Sequence, residues 1–426
     1  VQNIYEKIKG IFTKEIDTER LVNIILYSVI IIMPFIVVNV SSPRYVVGKL
    51  IFLYIVGIIS LLSLIKLKVT EFSIEHKIAL VFLLTMLIPS ILSKEKYVAF
   101  MGNITRGEGF IIYCIYIILF ILASKYLILN KRILDIILIS ACIMASYGVI
   151  QFYNIDPVQY WMLGYISVGD SIGLIGNRNF FSSYLCIFLF ISMAIYIFNG
   201  GRKYLIYSVI IFSALICTLT RSGWLAFIIY SIIGFILIFK DIKKIKRAGN
   251  IFILFCGIFL LINISSGGKI FSRANNTISV DEKGNTKIQD SGRIEILKIS
   301  WKAFIDSPFI GWGPDTLSYR LDSDYHKSYQ GYLENNGSYI DKSHNEYLEY
   351  AVSNGIFNLI TYLTLIGVIL YKLIKNFNNN ISKTLFLTLI GYLVQSFFNI
   401  SVVMVAPIFW IFLGICINKN TYNLSQ

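Results

Sequence analysis

The sequence predicts an all-α polytopic membrane protein of about twelve transmembrane helices, with one large extracytoplasmic loop that contains short helices. Three observations lead there. Of 426 residues, 56% are hydrophobic and only 15% are charged, where a soluble chain carries about a quarter charged residues. Runs of about 18 or more apolar residues recur, each long enough to cross a roughly 30 Å hydrocarbon core as a helix. They are continuously apolar rather than alternating, which excludes a β-barrel. One segment, from Ser265 to Asn345, departs from this pattern: it is rich in charge, amides and tyrosines, and it runs into SHNEYLEY, which holds one of the three histidines.

Taken in order, the twelve expected span cores lie at 22–40, 46–65, 78–93, 108–124, 133–153, 179–198, 204–220, 223–239, 250–265, 355–371, 384–399 and 402–418. The last two are short enough to form a helical hairpin. No cleavable signal peptide is expected, because the first apolar run, from Leu21, follows a long charged stretch and is long enough to remain as a span. With the N-terminus placed in the cytoplasm, the cytoplasmic segments hold 21 of the 38 Lys and Arg residues and the short outer loops hold 7. The positive-inside rule then puts both termini in the cytoplasm and the long loop outside. The chain divides into an N-terminal bundle of about nine spans (1–265), the loop (266–345) and about three C-terminal spans (346–426).

The net charge of +14 does not point to nucleic acid, because the basic residues are spread among loops and form no single basic face. Part of the excess follows from the positive-inside rule; the rest suits an anionic substrate. All six cysteines fall in apolar runs, none has a neighbour at metal-ligand spacing, and the loop has none, so neither a disulfide framework nor a metal site is expected. No P-loop, HExxH, GxSxG or spaced carboxylate pair is present, and no cofactor is implied.

Within the loop, the stretch Gly267–Gln289 reads as flexible. A helix is expected from about Gly292 to Asp306 (RIEILKISWKAFID), capped by Asp290 or Ser291 and stopped at Pro308. The turn GWGP (Gly311–Pro314) follows. A second helix is expected from Ser343, with Ser343 and Glu346 as an S-x-x-E capping box and Gly355 at its end. His344 then falls at the first position of that helix, where unpaired N–H groups and the helix dipole disfavour imidazolium. A neutral imidazole is what a general base requires; the plain alternative is a solvated loop histidine. His76, in a cytoplasmic turn, and His326, in a Tyr/Asp/Lys stretch, have no comparable setting.

Arg221 interrupts the apolar run SALICTLTRSGWLAFIIY. An arginine at a helix centre costs about 2.5–3.5 kcal/mol on insertion scales, and less near the interface. It is either a snorkelling side chain or an anion clamp that binds phosphate through paired N–H groups. Arg293 opens the loop helix, where a cation is electrostatically unhelpful unless an anion binds there too. Arg106 (GNITRGEGF) lies at an outer mouth, and Arg178 at the outer start of a span, bracketed by Asn177 and Asn179. Those amides either cap the helix or bind sugar hydroxyls. Together the set suits a diphosphate-bearing donor.

These residues also carry a resemblance. GNITRGEGF (102–110), GNRNFFSSYL (176–185), TLTRSGWLAF (218–227), GRIEILKISWKAFIDSPFIGWGPDTL (292–317) and SHNEYLEYAVSNGIFNLITYL (343–363) stand in the order found in the O-antigen ligase and polymerase family of bacterial membrane glycosyltransferases. The last two pieces are the most specific. The resemblance implies a C-class glycosyltransferase fold, and transfer of a glycan from undecaprenyl diphosphate to an acceptor without nucleotide sugar or obligatory metal. It implies His344 as base, Arg221 and Arg293 as diphosphate-binding residues, and substrate-binding positions at Arg106, Asn177, Asn179 and Asn345. Arg178 stands where the family often has Pro. The implied partners are the lipid-linked donor, a glycan, lipid, wall-polymer or protein acceptor, and membrane lipids, in the cytoplasmic membrane. A polymerase of lipid-linked repeats is the near alternative. A transporter would carry charges along a mid-membrane path, whereas here they gather at one face, and a receptor or scaffold would leave Arg221 and the capped His344 without a role.

Overall fold

The computed structural model describes residues 17–40, 43–163, 169, 171–275, 278–280, 286–288, 292–337 and 339–420. The chain opens with α1 (Thr18–Ile31), whose N-cap Asp17 accepts from the Glu19 N–H at 3.0 Å, followed by a 3-10 turn at Met33–Phe35 that contains Pro34. Next come α2 (Arg44–Lys66), α3 (Ile74–Leu92), the short α4 (Lys96–Met101), α5 (Phe110–Tyr126), α6 (Lys131–Phe152) and the short α7 (Pro157–Leu163). Then follow α8 (Arg178–Asn199), α9 (Arg202–Cys217), α10 (Arg221–Ile238) and α11 (Ile242–Ser265). The polar segment holds α12 (Lys269–Asn275), an antiparallel hairpin of β1 (Ile278–Val280) and β2 (Thr286–Ile288), α13 (Arg293–Asp306), α14 (Leu317–Asp324) and α15 (His326–Asn336). α16 (Glu346–Asn354), α17 (Ile356–Lys375), α18 (Asn380–Ser396) and α19 (Ala406–Ile417) complete it.

Every expected span falls on a helix, but only seven of these helices, α2, α3, α6, α8, α10, α11 and α17, are long and apolar enough to cross a membrane. The other five have 12 to 17 residues. Their shortness has a local cause: α1 runs into the Pro34 turn, α9 stops at the Thr218–Thr220 turn, and the chain between α18 and α19 leaves helical geometry over residues 398–405. α18 and α19 do not form the expected hairpin: α18 packs chiefly on α8 and α10, and α19 on α5.

α8 is the centre of the bundle. Of its most apolar stretch 89% is buried, against 22% for α11, which lies at the periphery. Outer faces are apolar: Ile51, Ile55, Ile58 and Leu62 of α2 are each more than half exposed, as membrane solvent allows. Helices approach closely where a side chain is missing. A Cβ on Gly391 would lie 2.4 Å from the Phe190 ring, and one on Gly414 would lie 2.7 Å from Ala123 Cβ. Backbone groups left over at helix ends are met by amides, as where Asn418 Nδ2 donates to the carbonyls of Ala123 and Leu127 at 2.8 Å.

The polar segment builds a second, smaller core. Ile296, Ile299 and Ala303 of α13 pack with Leu317, Leu321, Tyr329 and Tyr332 of α14 and α15, and with Val352 of α16. The GWGP turn explains itself here, because it crosses the C-terminal end of α16. Gly313 N–H donates to Ser353 O at 2.8 Å, and a Cβ on Gly311 would lie 2.1 Å from that same oxygen. A Cβ on Gly355, which stands at φ 85°, would lie 2.2 Å from the Phe309 carbonyl oxygen.

Three expectations in the loop change. α13 is capped by Gly292 in the left-handed region, while Asp290 and Ser291 lie outside the described residues. The stretch 267–289, expected to be flexible, includes α12 and the two short strands; its residues 276–277, 281–285 and 289 lie outside the described set. The capping box at Ser343 does not form. Asn345 is the N-cap of α16, and its side-chain oxygen accepts from Leu348 N–H at 2.9 Å. Ser343, two residues earlier, instead donates its N–H and hydroxyl to Glu349 Oε2 at 2.8 and 2.9 Å.

Candidate active site

A cavity of about 520 Å³ opens where the polar segment meets the bundle. Arg106, Arg178, Asn179, Arg221, Arg273, Arg293 and His344 all line it, together with Tyr332, Tyr339 and Asp341. Three of these arginines occupy the first position of a helix: Arg178 of α8, Arg221 of α10 and Arg293 of α13. Each adds its charge to the positive end of a helix dipole, which raises the energy of an empty cavity and lowers that of an anion within it.

Each side chain is set by its local backbone. Arg221 follows the tight turn at Leu219, a non-glycine residue at φ 54°, and donates Nη2–H to the Arg273 carbonyl at 3.3 Å. Arg273 returns the contact through Nε–H to the Leu219 carbonyl at 3.4 Å, so α12 and the α9–α10 turn hold the two guanidiniums side by side. Burial, and then the charges of Arg221, Arg178 and Arg293, press Arg273 below its ordinary range. Arg293 Nη1–H reaches the Phe398 carbonyl at 3.4 Å. Arg106 pairs with Asp341 and lies over the Phe180 ring, 5.0 Å from its centroid.

His344 is part-buried, with φ 54°, a left-handed conformation that a β-carbon disfavours. It lies one residue before the N-cap of α16 rather than at the helix's first position. Burial drives its pKa down to about 4; Asp341 opposes this, and Arg293 and Arg106 add to it. The imidazole is therefore neutral at pH 7, as expected, but through desolvation and arginine charge rather than through the dipole of its own helix.

Beneath His344 lies a buried ionic cluster that the sequence reading did not anticipate. Lys342 Nζ is 2.6 Å from Glu108 Oε2, 3.5 Å from Asp315 Oδ1 and 3.4 Å from the Ser401 carbonyl. Asp315 Oδ2 accepts from the N–H groups of Asn103 and Glu108 at 2.8 and 3.1 Å, which fixes the GNITRGEG loop carrying Arg106. Glu108 Oε1 accepts from Tyr116 and Ser401. One ammonium thus ties together residues 108, 315 and 401, two positions from the histidine.

Two expected site residues stand elsewhere. Asn177 caps α8 through Asn179 N–H at 2.8 Å and lines a separate cavity of about 260 Å³. Asn345 is buried and serves as the cap of α16. Arg273 was not singled out, and its only signal was a cation in a polar stretch. His76 is buried inside the bundle, its Nε2 2.6 Å from Ser124 Oγ, and His326 is exposed beside Asp322. Among the described residues, no group of three His, Cys, Asp or Glu side chains is placed to share a cation.

Apolar helices long enough to span a bilayer, with an arginine-lined cavity holding a neutral histidine where the polar segment meets them, describe a multi-pass membrane protein. Residues 206–363 match the family model for O-antigen ligase, a stretch that takes in Arg221, Arg273, Arg293 and His344. No match was found among curated proteins. The family implies a glycosyltransferase-like ligase, or a related polymerase, in surface polysaccharide biosynthesis, with a lipid-linked glycan donor and an acceptor in the membrane.

Proposed function

We propose that this protein transfers a glycan from undecaprenyl diphosphate to an acceptor hydroxyl at the outer face of the cytoplasmic membrane, by a single inverting displacement that needs no metal. The observation that carries this reading is one cavity in which a neutral His344 faces Arg221, Arg273 and Arg293. The acceptor hydroxyl gives its proton to His344 as its oxygen attacks the anomeric carbon. The bond from that carbon to the diphosphate oxygen breaks on the opposite face, and the diphosphate leaves with its charge met by the arginines. Diphosphate is a good leaving group, so no strong general acid is required.

A base with a pKa of about 4 is a weak proton acceptor. Burial is the main cause, but the donor's diphosphate offsets the Arg293 and Arg106 charges that add to it, so His344 gains proton affinity when the site is loaded. The distribution of Lys and Arg favours cytoplasmic termini and an extracytoplasmic loop. We read 1–265 and 346–426 as the membrane parts and 266–345 as the loop that brings Arg273 and Arg293 over the bundle.

The test is a transfer assay on purified protein with undecaprenyl-diphosphate glycan, a host envelope extract and EDTA, following release of undecaprenyl diphosphate. Release that requires both the extract and His344 supports the ligase. Release with donor alone, yielding longer carrier-linked chains, assigns the polymerase instead. His344→Ala is expected to lower transfer by at least about a thousandfold while donor binding persists; a fully active variant removes His344 from the mechanism.

A further inference from the structure

We propose that α13 lies in the headgroup layer of the bilayer, with an outward apolar stripe and two lysines seated on an anionic lipid surface. This requires only that the bundle spans a membrane, and it is independent of the donor reading.

The two ends of α13 fix its height. At its start, Arg293 Nη1–H reaches the carbonyl of Phe398, just past the end of α18. Beyond its end, the Pro308 carbonyl accepts at 2.8 Å from the N–H of Ile356, the first residue of α17. Both anchor points are ends of bundle helices on the side that bears the arginine cavity. The 14 residues of α13, about 21 Å at helical rise, therefore run along the rim of the bundle rather than away from it.

The helix is apolar on both faces. Ile296, Ile299 and Ala303 are buried in the second core. On the opposite side Ile294, Trp301 and Ile305 are 44%, 54% and 56% exposed, and their spacing puts them on one stripe of an α-helix. A helix whose outer side met only water would carry polar residues there. The stripe does not stop with the helix. Phe309 and Ile310 continue it, both exposed, and the Phe309 ring lies 6.1 Å from that of Phe357 on α17. Phe357, Ile360 and Leu363 form the exposed side of that spanning helix, so the stripe of α13 runs into a face that already meets hydrocarbon.

The charges of α13 are sorted in the same sense. Its acids turn toward the polar segment: Glu295 Oε2 accepts from Asn336 Nδ2 at 3.4 Å, and Asp306 accepts from the Tyr325 hydroxyl. Lys298 and Lys302 are exposed and edge the apolar stripe, with the Lys302 ammonium 5.7 Å from the Tyr325 ring. A tryptophan-bearing stripe edged by lysines suits a helix lying in the interface, its ring at headgroup depth and its ammonium groups reaching lipid phosphates. A docked protein would instead have to displace the lipid along Phe357.

The experiment is fluorescence of the full chain in nanodiscs whose phosphatidylglycerol carries bromine on the acyl chains close to the glycerol. The emission of Trp301 is the difference between the wild type and Trp301→Phe. It is expected to fall by about half or more relative to unbrominated discs, and to be shielded from iodide in the water. In brominated phosphatidylcholine the loss should be smaller by about twofold, and the double variant Lys298→Glu/Lys302→Glu should erase the difference between the two lipids. Both lysines are exposed, so that variant leaves the core intact. Full Trp301 emission in both brominated lipids, with quenching by iodide, overturns the proposal and leaves the stripe in water. Full emission under both quenchers overturns it as well, with protein covering the stripe. Equal quenching in the two lipids overturns the assignment to an anionic surface. No donor or transfer enters the measurement, so none of these outcomes bears on the proposed reaction.

Discussion

His344 and Glu346 sit two residues apart and are displaced in opposite directions by the same burial. His344 is driven down to about 4, so the free protein keeps a neutral base at any pH above that. The acid limb of kcat/KM, which reports the free enzyme, should fall near pH 4. The limb of kcat should lie at higher pH, because the bound diphosphate offsets Arg293 and Arg106. Coincident limbs in a pH–rate series would mean that the donor does not touch the histidine's field. Glu346 is fully enclosed, with the hydroxyls of Tyr350 and Tyr362 both on Oε1, and burial followed by the Glu108 charge raises it to about 7. A carboxyl raised on folding lends stability that is complete below its unfolded pKa and is lost as pH rises through the folded one. Thermal unfolding of the wild type should therefore weaken between about pH 4.5 and 7, and Glu346→Gln should flatten that slope. Of the residues in the site, Arg106, Arg178, Asn179, Arg221, Arg293 and His344 were legible, because an arginine that interrupts an apolar run or opens a helix at an outer membrane end, an amide at a helix start and a histidine before a helix are conspicuous in one dimension. Arg273 was not, since it gains its place only when α12 folds back on the α9–α10 turn. Asn177 stayed open between cap and ligand because a capping amide and a sugar-binding amide have the same side chain, and Asn345 was implied as a ligand only by the family resemblance; both serve as helix caps.

Among the elements, the crossing of the GWGP turn over the end of α16 carries the sharpest constraint. Gly355 combines φ 85° with a Cβ position 2.2 Å from the Phe309 carbonyl oxygen. Gly355→Ala is expected to cost about 2–4 kcal/mol, read as a lower unfolding temperature in a single detergent. An unshifted transition would mean the crossing can slide. The spans were legible as helices because a run of apolar residues leaves the backbone no partner but itself. Their lengths were not, since Pro34 and the polar turns after α9 and α18 shorten helices whose hydropathy continues. α14 and α15 were missed for the opposite reason: their apolar residues are sparse and show a face only against α13.

For the molecule as a whole, the buried Lys342 is the largest electrostatic commitment. Lys342→Met would leave Glu108 and Asp315 enclosed without their cation, which should cost about 3–5 kcal/mol. Adding Glu108→Gln should return part of that, and the pair of unfolding curves checks it; no recovery would mean that the lysine acts through packing alone. Nothing in the sequence announced this cluster, because its members are 108, 315, 342 and 401, and no local pattern links them. The same spacing has a consequence for how the protein is made. Residue 108 leaves the ribosome well before Ser401, whose hydroxyl and carbonyl complete the cluster and which emerges only after α18. Until then Lys342 lacks part of its setting and the segment bearing His344 is not locked to the loop bearing Arg106. A nascent or truncated chain that lacks Ser401 would therefore have the arginines but not the finished site, and competence would arrive only after that residue has emerged.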